Sequence, residues 1–350
     1  MTSSAEAAAR SLTRRLASTR SIRRLLNLAA RQLPELNFIH TTTCIHTLAK
    51  LVAGESHGLS LGHYREHRGA RPGRVDGLHS DPTATSNLHL VLLRHVSFLR
   101  KDLLQPRQLA STMWALATLT TAATAPAPLL PLLVSSICKQ VDKLEHQDVA
   151  NCCWAVSKLP QRVENRVSGQ RDDATTAVRK MDWEESPPSP QTSPAELMRR
   201  LASCRAMVHP QGFKPQELSS ILWALAYSRA APVYSNTFHQ LLLTAGSAKT
   251  AELLEPQHLA NICWATAAAD FEDHSQLMGV ALRRIFVQIH KRRGQMKAQE
   301  LANSIWALVS LGDAVYPGWR VGNPAAWAMT ERPVRAAPAL KDVHHSARVK

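Results

Sequence analysis

Aromatic residues other than tryptophan are scarce in this chain. It has four Tyr and six Phe in 350 residues, against eight Trp. A chain poor in these β-formers and rich in Ala and Leu favours helices. Long apolar runs are also missing. The best one, Ala127 to Ile137, is interrupted by Pro128 and Pro131, whereas a membrane span needs roughly 20 apolar residues. No CxxC pair exists among Cys44, Cys138, Cys152, Cys153, Cys204 and Cys263. That absence excludes the common zinc spacings and leaves the six as reduced thiols packing like small apolar groups. There is no Gly-rich phosphate loop and no nucleophile elbow. His63 and His67 have an HxxxH spacing with His57 nearby, but the zincin Glu is lacking, and His344-His345 is weaker still. No cofactor, no metal and no enzymatic activity are therefore expected.

Acidic residues are in deficit: 27 Asp and Glu face 42 Lys and Arg, for a net charge of +15. An excess of this size implies an anionic partner, either nucleic acid or an acidic membrane surface. Part of it sits at the N-terminus. Residues 1–34 carry seven Arg, several Ser and Thr, and the single acid Glu6. That is the composition of an organelle transit peptide. The same stretch, from Ser21 to Leu33, also reads as the first helix of a repeat array, and the two readings are compatible.

What the chain has in abundance is one phrase. Pro106 to Leu119, His146 to Leu159, Pro215 to Ser228, Pro256 to Ala269 and Ala298 to Leu311 align without gaps. Each is centred on a tryptophan: Trp114, Trp154, Trp223, Trp264 and Trp306. A sixth, degenerate copy spans Thr41 to Leu51 with His46 in the tryptophan place. The centres recur at 40, 41 and 42 residues, or at 69 and 68 where about 28 extra residues intervene. The two longer gaps contain insertions over 54–85 and 160–194, which lack apolar periodicity and read as flexible loops.

Each phrase reads as a helix. Leu109, Met113 and Leu116, with Ala110, Trp114 and Ala117 one residue on, make a broad apolar stripe. Pro106, Pro215 and Pro256 fall where a first turn tolerates a missing N–H. Second helices are expected over 87–104, 128–144, 194–207, 236–245 and 274–293. A pair of about 40 residues cannot cover its own apolar face, so pairs must stack. The fold class expected is all-α, an α-α superhelix (solenoid) of about six helix-pair repeats across 35–311. The five tryptophans form its structural core. Residues 312–350 form an irregular basic tail.

The phrase Pro-Gln-x-Leu-Ala-Asn-x-x-Trp-Ala-x-Ala, iterated, resembles the octotricopeptide repeat proteins and the related RAP-domain and FAST-kinase-like helical arrays of organelles. Pro256–Ala267, Gln299–Leu308 and Pro215–Ala226 carry the resemblance best. It implies binding of single-stranded RNA in the mitochondrial matrix or chloroplast stroma. The roles implied are transcript stability, processing, translation or ribosomal RNA maturation, alongside other RNA-processing proteins. No RAP-like pattern follows Gly312.

Two sets of residues are candidates for RNA contact. Arg283, Arg284, Lys291, Arg292, Arg293 and Lys297 put six cations on and just after one second helix, which suits phosphates. Arg199, Arg200 and Arg205 form a smaller set. For bases, one register of the phrase holds Ser111, Asn151, Ser220, Asn261 and Asn303. Asn is a poor mid-helix residue, so its recurrence asks for a reason. Either these amides meet base edges, as in other repeat proteins, or they form an internal ladder bonding the next unit. Positions that vary between copies suit specificity better. These are Thr112, Cys152, Ile221, Ile262 and Ser304, or Gln108, Asp148, Glu217, His258 and Glu300. The rival expectation is an armadillo-like scaffold whose groove takes a peptide. Neither reading involves a membrane or a small-molecule substrate.

Overall fold

In the computed structural model the described residues are 2–54, 82–120, 129–159, 193–269, 271 and 276–315. They are helical throughout, with no strand among them. Nearly all of both insertions, including His57, His63 and His67, lies outside the described residues, as do tail residues 316–350. The chain divides into two compact units, residues 1–212 and 213–350.

In unit 1 the helices alternate between two layers. Helices α1 (Thr2–Ser18), α3 (Phe38–Ala53), α5 (Pro106–Thr120) and α7 (His146–Lys158) pack successively side by side. They form the tryptophan layer. Helices α2 (Ile22–Arg31), α4 (Pro82–Arg100), α6 (Leu129–Lys139) and α8 (Pro194–Ala202) follow one another in the second layer. A short helix α9 (Arg205–Val208) ends the unit. Unit 2 repeats the scheme. There α10 (Pro215–Tyr227), α13 (Pro256–Ala268) and α15 (Ala298–Val315) form the tryptophan layer. Helices α11 (Ser235–Ala245), α12 (Ala248–Leu253) and α14 (Gln276–Arg292) back them.

Small residues let the tryptophan helices approach closely. The alanine after each tryptophan (Ala115, Ala155, Ala224, Ala265 and Ala307) is fully buried. Close approach of this kind is what gives side-by-side helices their dispersion contacts. At one such crossing the Ser219 hydroxyl donates to the His258 carbonyl of the next tryptophan helix. Gly246 ends α11 against Ala281 of α14, where a Cβ would come within 2.5 Å of the alanine methyl.

The starts of all six phrase helices are fixed the same way. The side chain at the third helical position accepts the backbone N–H of the residue before the helix. His40 accepts from Asn37 at 3.2 Å and Gln108 from Gln105 at 2.7 Å. Asp148 accepts from Glu145 at 3.4 Å and Glu217 from Lys214 at 2.9 Å. His258 accepts from Glu255 at 3.2 Å and Glu300 from Lys297 at 2.8 Å. This is half of a capping box. It explains why His, Gln, Asp and Glu interchange there: each offers an acceptor of about the right reach.

Five details depart from the sequence expectations. Helix α15 runs to Val315, four residues into the stretch read as an irregular tail. Helix α4 begins at Pro82, inside the stretch read as an insertion. The 194–207 helix breaks at Ser203 and Cys204 into α8 and α9. The 128–144 helix ends at Lys139, and a separate 3-10 turn follows over Val141–Lys143. The helix expected from Ser21 to Leu33 forms as α2, and a further helix, α1, precedes it. Helix α1 buries Leu12 and Leu16 and receives a 3.0 Å hydrogen bond at the Ala9 carbonyl from His40 of α3.

Polar groups also tie the layers of unit 1. His95 of α4 is fully buried. Its Nδ1 lies 3.0 Å from the Thr41 hydroxyl of α3 and its Nε2 3.2 Å from the Thr112 hydroxyl of α5. Burial pushes its pKa down to about 4, so the ring is neutral at pH 7. All six cysteines are free and buried, and burial pushes the Cys44 thiol up to about 12. Among the described residues no helix is long and apolar enough to cross a membrane.

Candidate nucleic-acid interface

Helices α3, α5 and α13, flanked on both sides within their units and backed by a second layer, have only a narrow strip left for solvent, and the same positions can be followed along the other tryptophan helices. Counting from the tryptophan, that strip is positions −7, −3, 0 and +4, which one helical face brings into line. In α7 it is Gln147, Asn151, Trp154 and Lys158. In α10 it is Gln216, Ser220, Trp223 and Tyr227, and in α13 Gln257, Asn261, Trp264 and Ala268. Helix α5 offers Arg107, Ser111, Trp114 and Thr118, and α3 offers Ile39, Thr43, His46 and Lys50. In α15 the same positions are Gln299, Asn303, Trp306 and Ser310.

The structure therefore keeps one register of the base-contact candidates at the surface and removes two. Ser111, Asn151, Ser220, Asn261 and Asn303 are all half-buried, each at the −3 place of its strip. Among the described residues none of these five side chains makes a hydrogen bond. The internal ladder that would have explained the asparagines is thus not formed among them. Thr112, Cys152, Ile221, Ile262 and Ser304 are buried and face neighbouring helices, so they cannot read bases. Gln108, Asp148, Glu217, His258 and Glu300 are the capping acceptors. Their variation reflects interchangeable acceptors, not specificity.

The tryptophans line this same strip. Trp114 and Trp154 are 8% and 7% exposed, whereas Trp223, Trp264 and Trp306 are half-buried. Their rings run from one helix to the next. In unit 1 the His46 and Trp114 ring centres are 5.2 Å apart, and those of Trp114 and Trp154 are 6.3 Å apart. In unit 2 Trp223 stacks on Trp264 at 6.2 Å and on Tyr227 at 4.6 Å. Each unit thus presents a row of ring edges and faces flanked by amides and hydroxyls. Aromatic faces of this kind are platforms for bases, and amides can pair with base edges.

The arginine cluster sits elsewhere, on α14 of the second layer. Arg283 donates to the Val315 carbonyl at 2.9 Å and Arg284 to the Gly246 carbonyl at 3.4 Å. Arg292 donates to the carbonyls of Leu254 and Glu252. These acceptors end α15, α11 and α12, so three of the six cations satisfy carbonyls that helix ends leave without partners. Arg293 bonds the His290 carbonyl at 2.7 Å, and Lys297 lies 3.9 Å from Glu300. Lys291 is exposed. In unit 1 Arg199 and Arg200 both bond Glu196, at 2.6 and 2.8 Å. Those hydrogen bonds hold the Glu196 carboxyl down at about 2.

The glutamine or arginine at −7 and the residue at +4 were not singled out from the sequence, although their spacing from the tryptophan held the signal. Among the described residues no cluster of three or more His, Cys, Asp and Glu is placed to hold a metal ion. No protein-family model matches the chain, and no curated protein matches it.

Proposed function

We propose that the chain is an α-α superhelix of helix-pair repeats that binds single-stranded RNA along the accessible strip of its tryptophan helices. By its resemblance to the octotricopeptide repeat proteins it acts in organellar RNA metabolism, as a binding protein and not as an enzyme. The observation that carries this reading is the row of half-buried −3 side chains with no hydrogen-bonding partner among the described residues. An amide in mid-helix costs stability through its low helix propensity. Repetition of that cost in one register points to a ligand that repays it. The adjoining indoles offer stacking surface, and the excess of positive charge suits a polyanion.

The test is the triple variant Asn151→Ala, Asn261→Ala and Asn303→Ala. Alanine is the better helix former, so melting temperature is expected to hold or rise. Affinity for single-stranded RNA is expected to fall at least tenfold, since each lost base-edge bond is worth about 1 kcal/mol. Unchanged RNA affinity with a lowered melting temperature would show the asparagines to be structural. A second reading, an armadillo-like peptide groove, is favoured by the half-buried Trp223 and Trp264 lying in line with Asn261. It would show as tight binding of an extended peptide by a chain that ignores RNA at moderate salt.

A further inference from the structure

In unit 1 the strip opens into a groove of about 420 Å³ between α3, α5 and the end of α1. Its volume suits a single small ligand, since such pockets commonly run to several hundred Å³. The groove exists where the repeat pattern is broken. His46 stands at the place that tryptophan takes in five other copies, and an imidazole leaves open the space an indole would fill. Its chemistry is one-sided. Among the described residues Arg20, Lys50 and Arg107 line it with the hydroxyls of Thr43 and Ser111, and no Asp or Glu does. Burial, with Lys50 and Arg107 adding to it, pushes the His46 pKa down to about 4. The imidazole is therefore neutral at pH 7 and presents one donor and one acceptor nitrogen. Its ring also packs against Trp114 at 5.2 Å.

We propose that this groove binds one nucleoside monophosphate unit of the RNA strand. The phosphate is held by Lys50, Arg107 and Arg20, and the base lies beside His46. The occupant follows from the chemistry: a wall of Lys and Arg for the phosphate, and a neutral heteroaromatic ring for the base. This rests on the RNA-binding reading for the identity of the strand, and it fixes where along the strip one nucleotide is anchored. The other five copies have indoles at this place.

The test uses the full chain and uridine 5′-monophosphate as probe, followed by calorimetry or NMR. The nucleotide is expected to bind at least tenfold more tightly than uridine. Two variants separate charge from space. Lys50→Gln with Arg107→Gln removes two cations and is expected to weaken binding at least tenfold. His46→Trp restores the residue used in the other copies, fills the groove, and is expected to abolish binding without lowering the melting temperature. Equal binding by wild type and both variants overturns the proposal. So does the absence of binding at millimolar nucleotide in a chain that binds RNA, an outcome that leaves the RNA reading standing. Nucleotide binding by a chain that ignores RNA supports the groove and overturns the strand as its source. Displacement of the nucleotide by a uridine decamer supports a strand nucleotide as occupant, and a decamer that binds without displacing it overturns that assignment.

Discussion

Replacing Trp154 with alanine is expected to destabilise unit 1 by about 3–5 kcal/mol, the usual cost of emptying a buried tryptophan site. Trp154 is 7% exposed, and its ring centre lies 6.3 Å from that of Trp114. Removing it both opens a cavity and strips Trp114 of its ring neighbour, a contact worth up to about 1 kcal/mol beyond area. The flanking Ala155 and Ala150 are too small to fill the space. Trp306, half-buried on α15, should cost less, because a part-exposed side chain transfers less apolar area from water. The check is urea unfolding followed by far-ultraviolet circular dichroism on both variants. Equal small losses, under about 1 kcal/mol each, would mean the indoles do not hold the layer together.

The second large effect is acid sensitivity. Burial pushes the His95 pKa from 6.5 down to about 4 in the folded chain. The unfolded chain keeps the ordinary value and binds a proton that the folded chain refuses. Between these two pH values the unfolded state therefore holds more protons, and stability falls as pH falls. Stability is full above pH 6.5 and has lost on the order of 3 kcal/mol from this one ring by pH 4, at about 1.4 kcal/mol per pH unit. His46 is shifted the same way, also to about 4, and steepens the loss. The measurement is the urea midpoint at neutral pH and near pH 4.5, for wild type and for His95→Gln. Glutamine keeps a donor and an acceptor for Thr41 and Thr112 but does not titrate. The variant is expected to lose markedly less stability on acidification. An identical acid loss in both proteins would place the sensitivity elsewhere.

Much of this architecture was legible from local signals. Pro106, Pro215 and Pro256 open their helices where the first-turn rule puts them. The spacing of the tryptophans set the length of the unit. What the sequence hid depends on packing between neighbouring helices. Gln108, Ser111, Thr112 and Ala115 look like one polar face on an isolated helix. Neighbours on both sides bury Thr112 and Ala115 completely, and the helix start takes Gln108 as its capping acceptor. Only Ser111 stays on the strip. Likewise, a charge run cannot disclose that Arg283, Arg284 and Arg292 reach back to carbonyls 32 to 40 residues away in the chain. Helix α1 escaped notice as a layer member because it carries neither the tryptophan nor the Pro-Gln start. Only the i, i+4 pair Leu12 and Leu16 marks its buried side.

The most direct measurement is ultraviolet crosslinking of the full chain to a single-stranded oligouridylate, with the linked peptides mapped by mass spectrometry. Aromatic rings within reach of a base are efficient partners in that reaction, so crosslinks are expected on the strip residues Trp223, Tyr227 and Trp264, and at His46 or Trp114. Crosslinks confined to peptides around Lys291 and Arg293, with the tryptophan helices unmodified, would contradict the strip as the RNA-binding surface.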